Sequence, residues 1–163
     1  INHSANLLLE IINDILDFSK IESGKFELFF EPVNIRTLAQ RVVDLFKSHV
    51  MNKNIELNLI IDPNVSEWIV ADIVRLKQIL VNLIGNAVKF TNLGEVLLQI
   101  EQIKSVKNKF STLRLSVIDT GIGIKEENLN KIFQSFVQED VSTSKKFGGT
   151  GLGLSISNKI LEK

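Results

Sequence analysis

The sequence contains no cysteine, only two prolines and two histidines, and no excess of either charge sign. Without cysteine, the chain can form neither disulfides nor thiolate-based catalytic or metal sites. The two histidines, His3 and His49, lie far apart and are interpreted as ordinary polar helix residues. Nineteen basic residues balance nineteen acidic ones, so no net field steers the chain to nucleic acid, and no nucleic-acid partner is expected.

Long apolar runs are also absent from the sequence. No stretch approaches the roughly 18 apolar residues needed to cross a bilayer, and there is no signal-peptide pattern. We therefore expect a soluble segment, and a membrane anchor elsewhere in the parent chain is compatible with this. With 163 residues, 44% of them hydrophobic, the chain is long enough for one domain with a buried core, or a domain plus an appendage.

Hydrophobic periodicity predicts an alternation of helices and short strands. A heptad-like seam predicts a first helix over Ile1–Lys20, formed by Ile1, Ala5, Leu8, Ile12, Ile15 and Ser19. Its wide apolar face suits a second helix, or alternatively the core of its own domain. The other predicted elements are a strand in KFELFFEPV ended by Pro32, a helix capped by Asn34, strands IELNLII and EWIV, a helix capped by Asp72, strands GEVLLQIEQI and FSTLRLSVI, a helix over Lys125–Gln134, a mobile loop over Gln138–Gly149 and a helix over Gly151–Lys163. This order predicts an α+β fold, an α/β sandwich whose mixed, mostly antiparallel sheet carries helices on one face.

The segment QILVNLIGNAVKFT carries an unusual polar stripe. At 100° per residue, Asn82, Asn86 and Lys89 fall in line beside the apolar face. Asparagine is a poor former of helix interiors. An amide oxygen suits Mg²⁺ and an ammonium suits phosphate, so the stripe is a candidate metal and phosphate site. A solvated polar edge is the alternative that the helix alone leaves open.

Two glycine-rich segments follow later in the chain. FGGTGLGLSI places four glycines before an apolar helix, where backbone N–H groups and the helix N-terminus favour an anion; a hinge is the alternative. DTGIGI ends a strand at Asp119, which is either a turn-former or a binding residue. No P-loop, dinucleotide fingerprint or protein-kinase motif is present in the sequence.

Taken in order, these segments resemble the ATP-binding domain of sensor histidine kinases, which has the Bergerat fold. NLIGNAVKFT resembles the family's N box, DTGIGI its first glycine box, IFQSFVQ its F box and GGTGLGLSI its second glycine box. LLLEIINDILDFSKIESGKFEL resembles the second helix of the dimerisation and phosphoacceptor hairpin. The resemblance covers nearly all of the chain. It implies a partial hairpin over 1–22 and an ATP-binding catalytic domain over 23–163, with the family's closing strands expected beyond Lys163.

The resemblance also implies roles for individual residues. Asn86 matches the Mg²⁺ ligand, with Asn82 one turn before it, and Lys89 matches the phosphate-contacting lysine. Asp119 matches the carboxylate that accepts from the exocyclic amine of adenine, which favours ATP over GTP because guanine has a carbonyl there. The set that matches the family's binding motifs for ATP and Mg²⁺ is Asn82, Asn86, Lys89, Asp119, Gly121, Gly123, Ile124, Lys145, Lys146, Gly149, Thr150, Gly151, Leu152 and Gly153.

A lid over the nucleotide is implied as well. The loop Gln138–Gly149 is expected to order on the nucleotide. Lys145 and Lys146 stand where the family often has arginine. Lysine supplies a charge for phosphate but lacks the bidentate geometry of arginine. Phe133 and Phe136 match the F box at the root of the lid, although core packing would account for them equally.

The expected function is transfer of the γ-phosphate of ATP to a histidine upstream of Ile1. No phosphoacceptor motif surrounds either histidine, so no catalytic residue is assigned within the segment. The expected partners are a second copy, through the hairpin, and a receiver domain or response regulator. The alternatives are an ATP-binding or dimerisation module without transfer and a Bergerat-fold ATPase. Hydrolases of that fold place glutamate where this chain has Asn82, and an amide is no general base, which disfavours the ATPase.

Overall fold

The computed structural model describes residues 2–106, 110–134 and 151–163. The helices and strands are, in chain order, α1 (Asn2–Glu22), β1 (Glu31–Asn34), α2 (Ile35–Lys53), β2 (Ile55–Ile61), β3 (Trp68–Ala71), α3 (Ile73–Phe90), β4 (Gly94–Val106), β5 (Phe110–Asp119) and α4 (Gly153–Leu161). The chain forms two compact units, Phe29–Gly123 and a unit made of Ile1–Leu28 with Ile124–Lys163. Within the described residues, no helix combines the length and apolarity required of a membrane span.

The unit Phe29–Gly123 contains a three-stranded sheet covered by two helices. β4 lies at its centre, parallel to β2 and antiparallel to β5. Val96, Leu98 and Ile100 alternate along β4 and are fully buried, as expected where one face of a strand meets the core. Leu80 and Ile84 of α3 belong to the same apolar cluster. β1 and β3 form a separate two-stranded antiparallel sheet, and the α+β prediction is confirmed.

The first strand differs from its prediction. It begins only at Glu31, and Pro32 lies inside it, opposite Val70, rather than ending it. Both strands of this small sheet are edges, where a residue without an N–H group is tolerated. The preceding Phe29 N–H donates to the Oδ2 of Asp72 at 3.0 Å instead of to a strand neighbour. The strand prediction for the residues before Glu31 was therefore wrong.

The helix predicted over Lys125–Gln134 was also wrong. A 3₁₀ helix spans only Glu126–Asn128, with the Asn128 N–H donating to the Lys125 carbonyl at 2.9 Å. Most side chains in this segment are exposed. A short helix without a buried stripe gains too little packing to offset the cost of nucleation.

The side chain of Asp72 caps α3 and also binds the start of this unit. Oδ1 accepts from the Arg75 N–H at 3.0 Å, and Oδ2 accepts from the Phe29 N–H at 3.0 Å. Burial of the carboxyl raises its pKa, but hydrogen bonds from the backbone N–H groups of Phe29, Arg75 and Val74 outweigh burial and hold the pKa below its ordinary value. Asp72 is therefore bound as a carboxylate in the folded state.

We expect Asp72→Ala to lower the free energy of unfolding by about 1–2 kcal/mol at pH 7, the usual cost of losing an N-cap. Because the folded pKa is depressed, this stabilisation is complete above the unfolded pKa of about 4 and is lost as pH falls through the folded pKa. Urea unfolding of both proteins between pH 7 and pH 3 measures the difference. Asp72→Asn keeps a capping oxygen, so its free energy of unfolding should fall by less than that of Asp72→Ala. If the free energies of unfolding of wild type and Asp72→Ala differed by the same amount at pH 7 and at pH 3, the role of the carboxylate would be contradicted.

Candidate functional site

The polar stripe predicted on α3 is present in the structure. Asn82, Asn86 and Lys89 are each half-buried on that helix. The side-chain Nδ2 of Asn86 donates to the Oδ1 of Asn82 at 3.4 Å, one helical turn away. Because Asn86 contacts Asn82 through its amide nitrogen, its carbonyl oxygen is not used in this bond. That hard oxygen is a suitable ligand for Mg²⁺, so the donor chemistry at Asn86 fits the metal that the resemblance implies.

Lys89 is a partly desolvated cation at the end of the same stripe. Burial lowers the pKa of its ammonium below the ordinary value. The Nζ atom lies 4.9 Å from the centroid of the Phe90 ring, within the range of a cation–π contact. An anion placed beside Lys89 would favour the charged form and oppose the effect of burial. The environment of Lys89 therefore suits a phosphate group.

The end of β5 places Asp119 on the side of the sheet that carries the helices. Leu115 and Val117 pack against the core, and side chains alternate along a strand, so Asp119 continues their face. The Gly121 N–H donates to the Oδ1 of Asp119 at 2.8 Å. Asp119 is exposed, and among the described residues only this N–H donates to it. The carboxylate keeps acceptor capacity for a ligand.

Gly121 brings the Asp119 turn against the end of α3. A Cβ added at Gly121 would lie 2.8 Å from the carbonyl oxygen of Phe90 and 2.7 Å from the Oδ1 of Asp119. Both distances are shorter than a Cβ contact allows, so only glycine permits this approach. The structure therefore holds Asp119 beside the last turn of the helix that carries Lys89.

Thr120 fixes the same turn from the other side. Its hydroxyl accepts from the Glu95 N–H at 3.0 Å and lies 3.2 Å from the carbonyl oxygen of Leu93, to which it can donate. The Thr120 N–H donates to the Glu95 carbonyl at 3.1 Å. These bonds tie the end of β5 to the start of β4. Sequence reasoning missed Thr120, whose partners lie 25 and 27 residues away.

Gly123, with a φ of +69°, is the last residue of the unit Phe29–Gly123. The other predicted residues belong to the second unit or lie outside the described residues. Gly151 has a φ of +69°, Leu152 is buried at 1% exposure, and α4 begins at Gly153. Ile124 and Phe133 are both exposed. The predicted residues outside the described ranges are Phe136, Lys145, Lys146, Gly149 and Thr150, together with the loop Gln138–Gly149.

Comparison with known proteins finds a family of nucleotide-binding domains. The family described as histidine kinase-, DNA gyrase B-, and HSP90-like ATPase matches residues 71–163. The hybrid signal transduction histidine kinase B of Dictyostelium discoideum is 42% identical over 96% of this chain, and the signal transduction histidine-protein kinase BarA of Escherichia coli K12 is 42% identical over all of it. The chain spans only 8% and 18% of the lengths of these two relatives.

Solved structures give the same result. The catalytic domain of histidine kinase ThkA is 33% identical, with a TM-score of 0.66 over 82% of this chain and 80% of that one. Full-length ShkA, crystallised with AMPPNP, is 36% identical, with a TM-score of 0.79 over 97% of this chain and 31% of that one. ThkA in complex with the response regulator TrrA is 29% identical, with a TM-score of 0.70 over 99% of this chain and 42% of that one.

The matched model covers more than half of the chain, which therefore belongs to the histidine kinase-, DNA gyrase B- and HSP90-like ATPase family. Within that family it is a catalytic domain of the histidine kinase type, as its likeness to the catalytic domain of ThkA shows. The resemblance stated from the sequence is confirmed, and with it the Bergerat fold and an ATP-binding kinase domain.

Proposed function

We propose that this domain binds Mg·ATP through Asn86, Lys89 and Asp119 and presents the γ-phosphate to a histidine upstream of Ile1. The observation that carries the proposal is the Phe90–Gly121 contact, which sets Asp119 beside the helix of Asn86 and Lys89. The three side chains supply an oxygen for the metal, a cation for phosphate and an acceptor for the base. ATP binding is a property of the family, whereas the metal and the residue roles are our proposal.

The assignment of Asp119 to the base depends on hydrogen-bond polarity. A carboxylate can only accept, so it pairs with the amine that adenine carries and opposes the carbonyl that guanine carries at the same position. The bond from Gly121 engages one oxygen of Asp119 and restricts the rotation of the carboxylate. Adenine specificity is therefore assigned to Asp119.

Asn82 favours transfer to protein over hydrolysis. It lies one turn before Asn86 and accepts a hydrogen bond from it. An amide cannot activate water as a general base at neutral pH. Catalysis in such a domain consists of positioning the phosphate and neutralising its charge, and Asn86 and Lys89 are suited to both.

We assign the second glycine box to the phosphate side of the nucleotide, as the resemblance implies. Gly151 adopts a left-handed backbone that glycine tolerates, and α4 starts two residues later at Gly153. Backbone N–H groups at a helix start favour an anion. The same role is proposed for Lys145, Lys146, Gly149 and Thr150, with the loop 138–149 acting as a lid, on the resemblance alone.

The first helix supports the proposed pairing with a second copy. Its apolar side chains Leu8, Ile12 and Ile15 are 58%, 43% and 50% exposed in the single chain, and all three belong to the predicted seam. Burial of such a seam against another helix is the usual basis of a coiled-coil dimer. We propose residues 1–22 as the second helix of the hairpin, residues 23–163 as the catalytic domain, and a response regulator as partner, by analogy with ThkA and TrrA.

The test uses the parent protein, extended upstream of Ile1, incubated with Mg·ATP labelled at the γ-phosphate. We expect label on histidine, which is lost in acid and kept in alkali, because a phosphoramidate is acid-labile. Sedimentation of the same sample should show a dimer, and Ile12→Glu should weaken it by placing a charge in the seam. Residues 1–163 alone should release phosphate only slowly. Rapid steady-state phosphate release by that segment would instead support the ATPase alternative.

A further inference from the structure

The last turn of α3 is held by a side chain from another helix. Lys53, the final residue of α2, donates from its Nζ to the carbonyl oxygens of Val88 at 2.8 Å, Lys89 at 2.9 Å and Thr91 at 3.3 Å. Helix ends leave their last four carbonyls without intrahelical partners. The three N–H groups of one ammonium therefore serve two carbonyls of this last turn, those of Val88 and Lys89, and that of Thr91, which follows the helix.

Two other carbonyls belong to this turn. The Ala87 carbonyl accepts from the Thr91 N–H at 3.0 Å. The Phe90 carbonyl is the one approached by Gly121. Lys53 thus binds the carbonyls on both sides of Phe90, the residue that the Asp119 turn approaches. Electrostatics add to this, since a cation at a helix C-terminus interacts favourably with the helix dipole.

The position of Lys53 is itself well determined. The next residue, Asn54, adopts a left-handed conformation with φ 54° and ψ 41°, and its N–H binds back to the carbonyls of α2. This cap ends α2 sharply and leads directly into β2, which pairs with β4. The backbone position from which the Lys53 side chain reaches α3 is therefore fixed.

We propose that Lys53 is a positioning residue for nucleotide binding, acting through Lys89. It holds the backbone carbonyl of Lys89 and of its neighbour Val88, so its loss releases the turn from which the Lys89 side chain reaches phosphate. This inference rests on the proposed function of Lys89. It adds a residue that touches no nucleotide and lies 36 positions before the side chain on which it acts.

The test is a double-mutant cycle on binding of a non-hydrolysable Mg·ATP analogue, measured by calorimetry at a temperature where every variant is folded. Lys53→Met should weaken binding about tenfold, the effect expected when a hydrogen bond to a charged group is weakened and not abolished. In a Lys89→Met background, Lys53→Met should change affinity by less than about twofold, because coupled residues are non-additive. Lys53→Arg should keep most of the affinity, because its fork can still donate to several carbonyls.

Lys47→Met is the matched control. Lys47 lies on the same helix and its Nζ is 2.8 Å from Asp44, on the exposed surface. Removing that charge should leave analogue binding within about twofold, since exposed pairs contribute little. If Lys53→Met does not fold, the cycle is run with Lys53→Gln, which is shorter and uncharged.

Three results would overturn the inference. Equal losses from the Lys53 substitution in the wild-type and Lys89→Met backgrounds would mean that Lys53 does not act through Lys89. Affinity unchanged by the Lys53 substitution, while Asn86→Ala abolishes metal-dependent binding, would refute this inference and leave the proposed function intact. A wild-type domain that bound no Mg·ATP analogue would refute the proposed function, and the role of Lys53 with it.

Discussion

Asp119→Ala is expected to weaken ATP binding by roughly 10- to 100-fold, the value of a hydrogen bond to a charged acceptor that is lost with the carboxylate. The loss of affinity should depend on which base the nucleotide carries. Affinity for GTP, which carries a carbonyl where adenine carries an amine, should change much less. Calorimetry with both nucleotides measures the effect, and equal affinities of the wild type for ATP and GTP would contradict the base-reading role.

The structure supplies a sharper control in Asp119→Asn. An asparagine oxygen can still accept from the Gly121 N–H, as the Oδ1 of Asp119 does at 2.8 Å, so the turn is expected to persist. The amide group then presents a donor toward the base. With adenine, this amide donor would face the exocyclic amine, which is also a donor. With guanine, it could donate to the carbonyl at the same position. We expect this variant to lose ATP affinity and to narrow or reverse the preference over GTP. A variant that retained the wild-type preference would assign the effect of Asp119→Ala to the turn instead.

Asn86→Ala is expected to abolish the contribution of Mg²⁺ to nucleotide binding. The amide oxygen of Asn86 is the ligand that the variant removes, so affinities measured with and without Mg²⁺ should become nearly equal. The fold should survive, because alanine is a better helix former than asparagine by about 0.5 kcal/mol and the 3.4 Å bond to Asn82 is long. Calorimetry in Mg²⁺ and in EDTA, with thermal unfolding of the same samples, separates the two effects.

Asn86→Asp is the matched control for the metal. It keeps an oxygen at the same point of the helix and should retain a dependence on Mg²⁺. A wild-type level of Mg²⁺ dependence in Asn86→Ala would exclude Asn86 as a ligand. A loss in both variants together with a lower unfolding temperature would point to the helix rather than to the metal.

The parts of this fold that sequence predicted are those set by local chemistry. Asn34 and Asp72 accept from N–H groups three residues later, at Thr37 and Arg75, and both helices begin where these caps indicated. Alternation alone identified β2, β4 and β5. In each case the deciding interaction lies within one turn of helix or one strand.

The features that sequence missed are set by distant partners. Lys53 binds carbonyls 35 to 38 residues away, and nothing near it in the chain indicates this. The strand predicted before Glu31 failed because Asp72, 43 residues on, accepts the Phe29 N–H. The candidate site residues were proposed from motifs, but the close approach of Gly121 to the Phe90 carbonyl became apparent only in the folded structure.

The structure of the DTGIGI turn predicts that three of its positions tolerate different substitutions. At Gly121 any side chain would collide with the Phe90 carbonyl, so no residue larger than glycine fits. At Ile122, where the side chain is 66% exposed, most replacements should be neutral. At Gly123 a Cβ would meet open space, but φ is +69°, so asparagine is expected to cost less than alanine or a β-branched residue. Three consecutive positions thus differ in mutational tolerance for three separate reasons.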